Sequence, residues 1–308
     1  MLDGAAVAAA VTPERAVDAV REAFVAHARG DWSMPPKVYV ANYPAGDFRA
    51  MPALGDGYAL LKWITSFPGN PARGLPTVTG VVLVSDAATG ELRAVLDAAS
   101  VTALRTGAAA VLAAEVLGRD DAGTAAVVGA GVNGRAAART FLARGRDVLL
   151  WDVDAERAAR VAQELGCSVA ESREQALACD LVVTVTPGHE VLLREGTLRP
   201  GQHVSLMGAD GPGKAEAAGP ELARAHLFCD DWEQASHGGE LAHAVDEGLV
   251  TRVDVTPLGD VLADTARGRA DEQEITMFDS TGLAIQDLAV AIAALDAADR
   301  DSLPRLEL

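Results

Sequence analysis

A glycine-rich turn between a predicted strand and a predicted helix constrains this chain more than any other feature of its sequence. Small and β-branched residues at 124–128 are typical of a buried strand, and they lead directly into Gly129, Gly131 and Gly134. The segment after these glycines has a helical pattern and ends at Gly145, a residue type that commonly terminates helices. The order of strand, glycine turn and helix predicts a dinucleotide-binding βαβ unit.

Each glycine has its own task in such a turn. Gly129 permits the tight turn, Gly131 lets backbone N–H groups approach a pyrophosphate, and Gly134 brings the helix close to the strand. The phosphates would lie at the positive end of the helix dipole. We therefore expect Val132 and Asn133, which lie between these glycines, to border the cofactor as well.

An acidic residue indicates which dinucleotide is bound. Asp152 ends the second predicted strand, 147–152, where a carboxylate accepts hydrogen bonds from the ribose hydroxyls and repels a 2′-phosphate. No arginine follows Asp152 directly, and Arg157 lies in the next predicted helix. The sequence favours NAD(H) over NADP(H).

Length and charge exclude several classes of function. With 308 residues the chain can form one large or two medium domains, and its formal net charge is −18. An acidic surface repels nucleic acid and anionic membranes, so we expect neither as a partner. The apolar segment 98–117 is interrupted by Arg105 and Glu115, which disfavours a membrane span. The N-terminus lacks the basic and apolar regions of a signal peptide.

Cysteine and histidine residues indicate a cytoplasmic protein with no metal site. The three cysteines are widely spaced and odd in number, which is typical of reduced thiols in the cytoplasm. His237 and His243 flank Glu240, but two glycines interrupt the helix that would place both imidazoles on one face. We therefore expect no bound metal.

The order of predicted elements gives an α/β fold with two domains. Short β runs fill 37–96 and predict an antiparallel or mixed sheet, whereas helices and strands alternate further along and predict a parallel, doubly wound sheet. An apolar final helix is expected to pack back against the first half. Residues 1–118 and 283–308 would then form a discontinuous, β-rich α+β domain, and residues 119–282 a Rossmann domain.

Basic residues in the β-rich half are candidates for substrate chemistry. Lys62 interrupts an apolar strand, so its ammonium is expected to be enclosed and its pKa lowered, as suits a base. Arg105 lies among Ala and Leu, where a buried guanidinium needs a phosphate or carboxylate. For Lys37 and Arg49 the sequence leaves two interpretations open. Each of these side chains either binds a carboxylate or lies on a solvated face of the sheet. Asp210 follows a strand in the second half, where open α/β sheets bind their ligands.

A series of motifs covering nearly the whole chain, in order, resembles the ornithine cyclodeaminase/μ-crystallin superfamily. The resemblance is closest to the archaeal-type NAD-dependent alanine dehydrogenase branch. The motifs that carry it are Lys37, Phe48-Arg-Ala-Met-Pro-Ala, Lys62, Phe67-Pro-Gly-Asn-Pro, Gly74-Leu-Pro-Thr-Val, Leu104-Arg-Thr-Gly-Ala-Ala, Gly208-Ala-Asp-Gly-Pro-Gly-Lys, Asp231-Trp-Glu-Gln-Ala-Ser-His-Gly-Gly-Glu and Phe278-Asp-Ser-Thr-Gly-Leu-Ala-Ile-Gln-Asp.

The resemblance implies a homodimer joined through the β-rich domains and an NAD-linked reaction on a small L-amino acid, 2-oxo acid or imine. It assigns proton transfer to Lys62 and Asp210. The residues it implies around substrate and cofactor are Lys37 and Arg49 for the substrate carboxylate, Arg105 and Thr106 near substrate or pyrophosphate, Ser280, Thr281 and Leu283 at the nicotinamide, and Thr186 as a further cofactor contact.

One departure from the family pattern bears on the reaction. Arg49 stands where the cyclodeaminase branch has an acid, two places before the Met-Pro pair. A cyclodeaminase uses a second, distal amine of its substrate, and a guanidinium there would repel that amine. This favours a dehydrogenase or a ketimine reductase. A cyclodeaminase that recycles its NAD and a non-catalytic binding protein of the μ-crystallin kind remain as alternatives.

Overall fold

The chain divides into two compact units. Unit 1 comprises Met1–Arg105 and Leu283–Leu308, and unit 2 comprises Thr106–Gly282. The sequence placed the first boundary after residue 118, whereas the division falls inside a long helix, after Arg105. The second boundary of this division falls before Leu283. The computed structural model describes residues 1–188, 190–211, 213–299 and 303–304.

The regular elements within these residues are numbered in chain order. The helices are α1 (Gly4–Ala10), α2 (Pro13–Ala28), α3 (Ala98–Leu117), α4 (Val132–Ala143), α5 (Ala155–Leu165), α6 (Arg173–Leu177), α7 (Gly219–Leu222), α8 (Trp232–Gly238), α9 (Ala242–Asp246), α10 (Leu258–Leu262) and α11 (Ala284–Ala297). The strands are β1 (Val38–Asn42), β2 (Gly46–Gly55), β3 (Tyr58–Ser66), β4 (Val78–Asp86), β5 (Leu92–Asp97), β6 (Ala125–Val128), β7 (Val148–Trp151), β8 (Ser168–Val169), β9 (Leu181–Thr184), β10 (His203–Leu206), β11 (His226–Cys229), β12 (Val255–Pro257) and β13 (Thr276–Asp279).

Unit 1 is built on a five-stranded antiparallel sheet in the order β1-β2-β3-β4-β5. Side chains alternate between its two faces, as the period of a strand requires. Met51, Lys62 and Val82 are paired across three strands and all are buried. Helix α11 packs against this sheet and against α2, and its residues 284–295 are all buried. The apolar sequence of α11 thus supplies much of the core of unit 1.

The other face of this sheet carries exposed apolar side chains. Leu61, Trp63 and Val81 are each 39% exposed, and Leu54, on the same face, is 48% exposed. Phe48 stacks against Trp63 with ring centroids 5.7 Å apart. We call Leu54, Leu61, Trp63 and Val81 the outer apolar face. A contiguous apolar surface of this kind is commonly a contact site for another protein chain.

Unit 2 is built on an eight-stranded parallel sheet in the order β12-β11-β13-β10-β9-β6-β7-β8. The chain runs from β6 outwards to β7 and β8, then returns to continue at β9 on the other side of β6. Such a reversal of strand order opens a crevice at the carboxyl ends of the strands, where α/β proteins bind ligands. The predicted α/β class, with a Rossmann-type sheet and a β-rich part, is confirmed.

Helix α3 is, among the described residues, the one helix long and apolar enough to cross a membrane by length and composition. Of its most apolar stretch, 72% is buried inside the protein. Burial of this extent is typical of a core helix. Gly107 allows α3 to approach α4, because a Cβ at this position would lie 2.8 Å from the carbonyl carbon of Ala136.

Candidate active site

The turn between β6 and α4 has the backbone that its glycines predict. Gly129 adopts a φ of +110°, and a Cβ there would also lie 2.6 Å from the carbonyl oxygen of Val185. A Cβ at Gly134 would overlap the carbonyl oxygen of Gly129. Gly131 differs from both, since a Cβ there would have no atom of the described residues within 4 Å. Two of the glycines are therefore required by internal packing, and the third leaves open space in front of the backbone.

This open space lies at the N-terminus of α4. Gly131 is the N-cap residue and provides no side-chain hydrogen bond to the first helical N–H groups. Those groups, together with the helix dipole, attract anions. Thr106 lies in the segment of α3 that approaches α4, and its hydroxyl is buried without a hydrogen-bond partner among the described residues. A buried hydroxyl without a partner is costly, and a pyrophosphate oxygen would satisfy it. These residues fit a dinucleotide.

Asp152 lies directly beside this turn, just after β7. Its Oδ2 accepts a hydrogen bond from the N–H of Ala130 at 2.6 Å, and its Oδ1 accepts one from the N–H of Asp154 at 2.8 Å. Arg157 also approaches, with its Nη1 3.4 Å from both carboxylate oxygens of Asp152. The sequence placed this arginine in the next helix without assigning it a contact. Its charge partly neutralises the carboxylate that would face a ribose.

A buried glutamate, Glu216, ties together the ends of β9 and β10. Its Oε1 accepts hydrogen bonds from the N–H and the hydroxyl of Thr186, at 2.8 and 2.7 Å. Its Oε2 accepts from the Thr184 hydroxyl at 2.7 Å and from the N–H of Gly208 at 2.9 Å. Thr186, a predicted cofactor contact, is therefore held by its side chain and by its backbone.

A second buried glutamate holds the first. Oε1 of Glu240 accepts hydrogen bonds from the backbone N–H groups of Glu216 and Ala217, at 2.7 and 2.6 Å. Burial raises the pKa of Glu216, and burial together with the nearby Glu216 carboxylate raises the pKa of Glu240 well above its usual range. The hydrogen bonds of the two acids stabilise the carboxyl ends of β9 and β10. Enclosing the two carboxyl groups opposes their ionisation, which is why both pKa values are raised.

Ser280 and Thr281 are positioned by another buried acid. Asp230 accepts hydrogen bonds from the hydroxyls of Ser280 and Thr281, both at 3.1 Å, and from the N–H of Gly282 at 2.7 Å. This arrangement fixes the loop after β13. Asp210 forms an ion pair with Lys214, Nζ to Oδ1, at 2.5 Å. Its assignment as the acidic counterpart of Lys62 in proton transfer stays a prediction.

In unit 1, Lys62 lies on the buried face of β3 and is only 1% exposed. Its Nζ lies 2.8 Å from Oδ1 of Asp287, in the first turn of α11. The Nε of Arg105 lies 3.5 Å from the same oxygen, and its Nη1 lies 3.5 Å from Oε1 of Gln286. We call Lys62, Arg105, Gln286 and Asp287 the lysine cluster.

Burial is the main influence on the protonation of Lys62. Burial lowers the pKa of Lys62, and the positive charges of Arg105 and Lys37 lower it further. The Asp287 carboxylate acts in the opposite direction and raises it. The net result is a pKa of about 8. A solvated lysine stays protonated throughout the physiological range, whereas this amine can exchange a proton at mildly alkaline pH. The lysine cluster can therefore carry out acid–base chemistry.

Arg49 lies on the same face of the sheet as Lys62, two residues from Met51, with which Lys62 is paired. Its Nε donates to Oδ1 of Asp47 at 2.7 Å, and its guanidinium carbon lies 5.3 Å from the centre of the Tyr39 ring. The guanidinium is thus held in place by an acid and an aromatic ring. Its assignment to the substrate carboxylate, like that of Lys37, stays a prediction.

Sequence reasoning missed several residues that organise these sites. Asp287 and Gln286 were quoted within a family motif but received no role. A carboxylate in a mostly apolar helix, together with a lysine in an apolar strand, is a signal that could have found the Lys62–Asp287 pair. Glu216 and Asp230 carry no comparable local signal, because their hydrogen-bond partners come from other segments. Within the described residues, no group of three or more His, Cys, Asp or Glu side chains could hold a metal ion.

Comparison by sequence and comparison by structure both find alanine dehydrogenases among the proteins similar to this chain. The alanine dehydrogenase of Archaeoglobus fulgidus is 42% identical over 290 residues, covering 91% of this chain and 89% of the relative. A solved archaeal alanine dehydrogenase dimer with bound NAD superimposes with a TM-score of 0.93 at 39% identity, covering 99% of this chain and 97% of that one.

A third relative carries out a different reaction. The Δ1-pyrroline-2-carboxylate reductase of Thermococcus litoralis, solved with NADH and L-proline, superimposes with a TM-score of 0.92 at 26% identity and covers 99% of both chains. The sequence model of the ornithine cyclodeaminase/mu-crystallin family matches residues 1–301. The chain therefore belongs to the ornithine cyclodeaminase/mu-crystallin family.

Proposed function

We propose that this protein is an NAD(H)-dependent oxidoreductase that acts on the CH–NH2 group of a small L-amino acid, as an alanine dehydrogenase does. The observation that carries the proposal is the lysine cluster. A fully buried amine with a pKa of about 8 is suited to taking a proton from an amino acid and returning it to an imine. The archaeal alanine dehydrogenase with bound NAD, similar over almost the whole chain, supports the same activity.

The cofactor proposed is NAD, which when bound accepts or supplies the hydride. The residues proposed to hold it include Gly129, Gly131, Val132, Asn133 and Gly134 in the turn before and at the start of α4. The open space at Gly131 and the buried hydroxyl of Thr106, which has no hydrogen-bond partner in the described part of the chain, support a pyrophosphate there. Asp152 would accept hydrogen bonds from the ribose hydroxyls. Thr186, Ser280 and Leu283 would border the rest of the cofactor.

The roles proposed for the basic residues follow from the charges of the reaction. Arg49, Lys37 and Arg105 would hold the substrate carboxylate, since guanidinium and ammonium groups pair with carboxylates. Removal of a hydride from Cα and a proton from the amine gives an imine, and addition of water gives a 2-oxo acid and ammonia. Lys62 and Asp210 would move the protons of these two steps.

The experiment is a substrate panel followed by the absorbance of NADH. L-amino acids, including L-alanine, are supplied with NAD⁺, and 2-oxo acids are supplied with ammonia and NADH. We expect NADH to accumulate with at least one small L-amino acid and to be consumed in the reverse reaction. Release of ammonia without net formation of NADH would identify a cyclodeaminase instead. Binding of NADH without turnover of any substrate would identify a binding protein.

Reduction of a cyclic imine is the second candidate. The similarity to a pyrroline-carboxylate reductase solved with NADH and L-proline favours it. L-proline and cyclic imino acids are therefore included in the panel. Consumption of NADH with a cyclic imine but not with a 2-oxo acid and ammonia would assign this reaction.

We also propose that two copies associate through the outer apolar face of unit 1. Leu61, Trp63 and Val81 present a row of apolar side chains across neighbouring strands, and the archaeal relative is described as a dimer. Light scattering should give a dimer mass for the parent protein and a monomer mass for Leu61→Lys with Val81→Glu. A parent protein that is monomeric at micromolar concentration would contradict the proposal.

A further inference from the structure

We propose that Asp287 is a positioning residue for the reaction: its carboxylate holds the Lys62 amine and determines how readily that amine gives up a proton. The inference rests on the proposed function, because it takes Lys62 as the proton carrier. No motif argument assigned Asp287 a role. What points to it is its place in the lysine cluster, 225 residues along the chain from Lys62.

The geometry of the pair leaves the amine little freedom. Nζ of Lys62 lies 2.8 Å from Oδ1 of Asp287, and the two side chains are 1% and 0% exposed. A buried charged hydrogen bond is strong and directional, and water does not compete for it. Asp287 also lies in the first turn of α11, close to the positive end of the helix dipole. The amine is thus held at a fixed point on β3.

A single carboxylate oxygen is shared by two cations. The Nε of Arg105 lies 3.5 Å from the Oδ1 that binds Lys62, whereas Oδ2 accepts no hydrogen bond from the described residues. Arg105 in turn approaches Gln286, the neighbour of Asp287 on α11. Arg105 Nε forms no hydrogen bond with the described residues, so Oδ1 accepts its hydrogen bond from Lys62, and the positive charge of Arg105 beside it weakens the hold of the carboxylate on the proton of Lys62.

The charged groups that face Lys62 come from three segments. Asp287 on α11 favours the protonated amine, whereas Arg105 on α3 and Lys37, just before β1, disfavour it. Asp287 is the one acid among them. Loss of its charge would leave burial and two cations acting in the same direction, and the amine would lose its proton at a lower pH.

The test is the pH dependence of turnover in Asp287→Asn. In the oxidative direction, the rising limb of kcat should move to lower pH by roughly 1–3 units, the usual effect of an opposite charge at this distance. In the reductive direction, where Lys62 must supply a proton, kcat at pH about 8 should fall roughly 10-fold or more. NADH affinity, measured by fluorescence, should be unchanged. An unshifted limb in a folded Asp287→Asn protein would overturn the proposal.

Two further variants make the result specific. Asp97→Asn removes another acid of unit 1, one whose carboxylate binds Ser100 at the start of α3, and it should leave the pH profile as in the parent. Lys62→Ala separates this inference from the proposed function. If Lys62→Ala turns over normally, the proposed role of Lys62 fails. If it is inactive while Asp287→Asn keeps the parental profile, only the role of Asp287 fails.

Asp287→Asn could leave Lys62 and Arg105 without a counter-charge and prevent folding. In that case the double variant Lys62→Met with Asp287→Asn tests whether the charges of these two residues are paired. Recovery of folding and NADH binding in the double variant would support the pairing of these two charges. A double variant that stays unfolded would overturn it, because the negative charge of Asp287 would then be needed by Arg105 and not by Lys62.

Discussion

The glycine turn of unit 2, at Gly129, Gly131 and Gly134, and the lysine cluster of unit 1 are built in opposite ways. The turn depends on the absence of side chains. Gly134 and Gly129 leave room for neighbouring backbone atoms, and Gly131 leaves open space in front of its own backbone. The cluster depends on atoms that are present, with charges brought together from β3, α3 and α11. The first site should therefore fail when a side chain is added, and the second when a charge is removed. Substitutions of both kinds test this difference.

The largest effect is expected from Lys62→Ala. Removal of a general acid–base group typically lowers kcat by ~10²–10⁴-fold. Lys62→Arg should not restore turnover, because a guanidinium stays protonated and cannot act as a base. NADH should bind to both variants as it does to the parent, because the glycine turn belongs to unit 2. Steady-state kinetics and fluorescence titration measure these quantities. Turnover within a few-fold of the parent would remove Lys62 from the mechanism.

Two glycine substitutions distinguish binding from folding in the glycine turn. Gly131→Ala meets no neighbouring atom, so the melting temperature should be unchanged while NADH affinity falls by ~10-fold, about 1.4 kcal/mol. Gly134→Ala overlaps the Gly129 carbonyl and should cost about 1–3 kcal/mol of stability as well. Calorimetry and NADH titration of both variants provide the comparison. If Gly131→Ala binds NADH normally, the pyrophosphate does not approach this residue.

A smaller effect is expected on the choice between NADH and NADPH. The parent should bind NADH more tightly, and Asp152→Ser should narrow that preference by ~10-fold, because the repulsion of a 2′-phosphate is lost and Arg157 remains to attract it. Asp154→Ser is the matched control. It removes a second acid that contacts Arg157, and because serine caps a helix about as well as aspartate, it should leave both the stability and the cofactor preference unchanged. Tighter binding of NADPH by the parent would refute the role of Asp152.

The smallest effect concerns the pH dependence of stability, for which the two units have opposite signs. The pKa of Lys62 is lowered to about 8, so its contribution to stability increases as pH rises from there towards the pKa of an unfolded lysine. The pKa of Glu240 is raised, so the folded state holds a proton that the unfolded chain has lost, and stability decreases as pH rises above about 4.5.

Glu240→Gln should abolish the second of these dependences. Glutamine has the shape of the protonated acid, and its oxygen can still accept from the N–H groups of Glu216 and Ala217. The variant should match the parent near pH 4.5 and exceed it at higher pH, by about 1.4 kcal/mol for each unit by which the pKa is raised. Urea unfolding at several pH values measures this. A constant difference between the two proteins at all pH values would show that Glu240 does not titrate.

The sequence was sufficient for features that depend on neighbouring residues. The strand, glycine turn and helix around residues 124–145 are encoded locally, as is the N-cap of α2, where Thr12 accepts a hydrogen bond from the N–H of Arg15. The buried position of Lys62 was also predictable, because its neighbours on the strand are apolar on both sides. Such features follow from periodicity and turn chemistry alone.

Features that depend on distant segments were not predictable in the same way. The short strand β12 has the sequence Val-Thr-Pro, which is too short to have a recognisable period, and it becomes a strand by pairing with β11. The sequence predicted Asp210 as the acidic counterpart of Lys62 in proton transfer, which stays a prediction, and it did not predict the buried contact between Lys62 and Asp287. Residues 284–295 of α11 are all buried, so the sequence of this helix does not show which side chain contacts Lys62. The packing of α11 against β3 determines that this side chain is Asp287.

The position of α11 in the chain has a consequence for how the protein is made. Most of unit 1, including β3 and Lys62, leaves the ribosome before unit 2, and α11 follows only after unit 2 is complete. Until then the nascent chain has a sheet without its covering helix and a lysine without its carboxylate. Unit 2 carries all eight of its strands in one continuous stretch and needs no later segment. During synthesis unit 2 can therefore mature first, and the lysine cluster is assembled only when α11 has emerged after it.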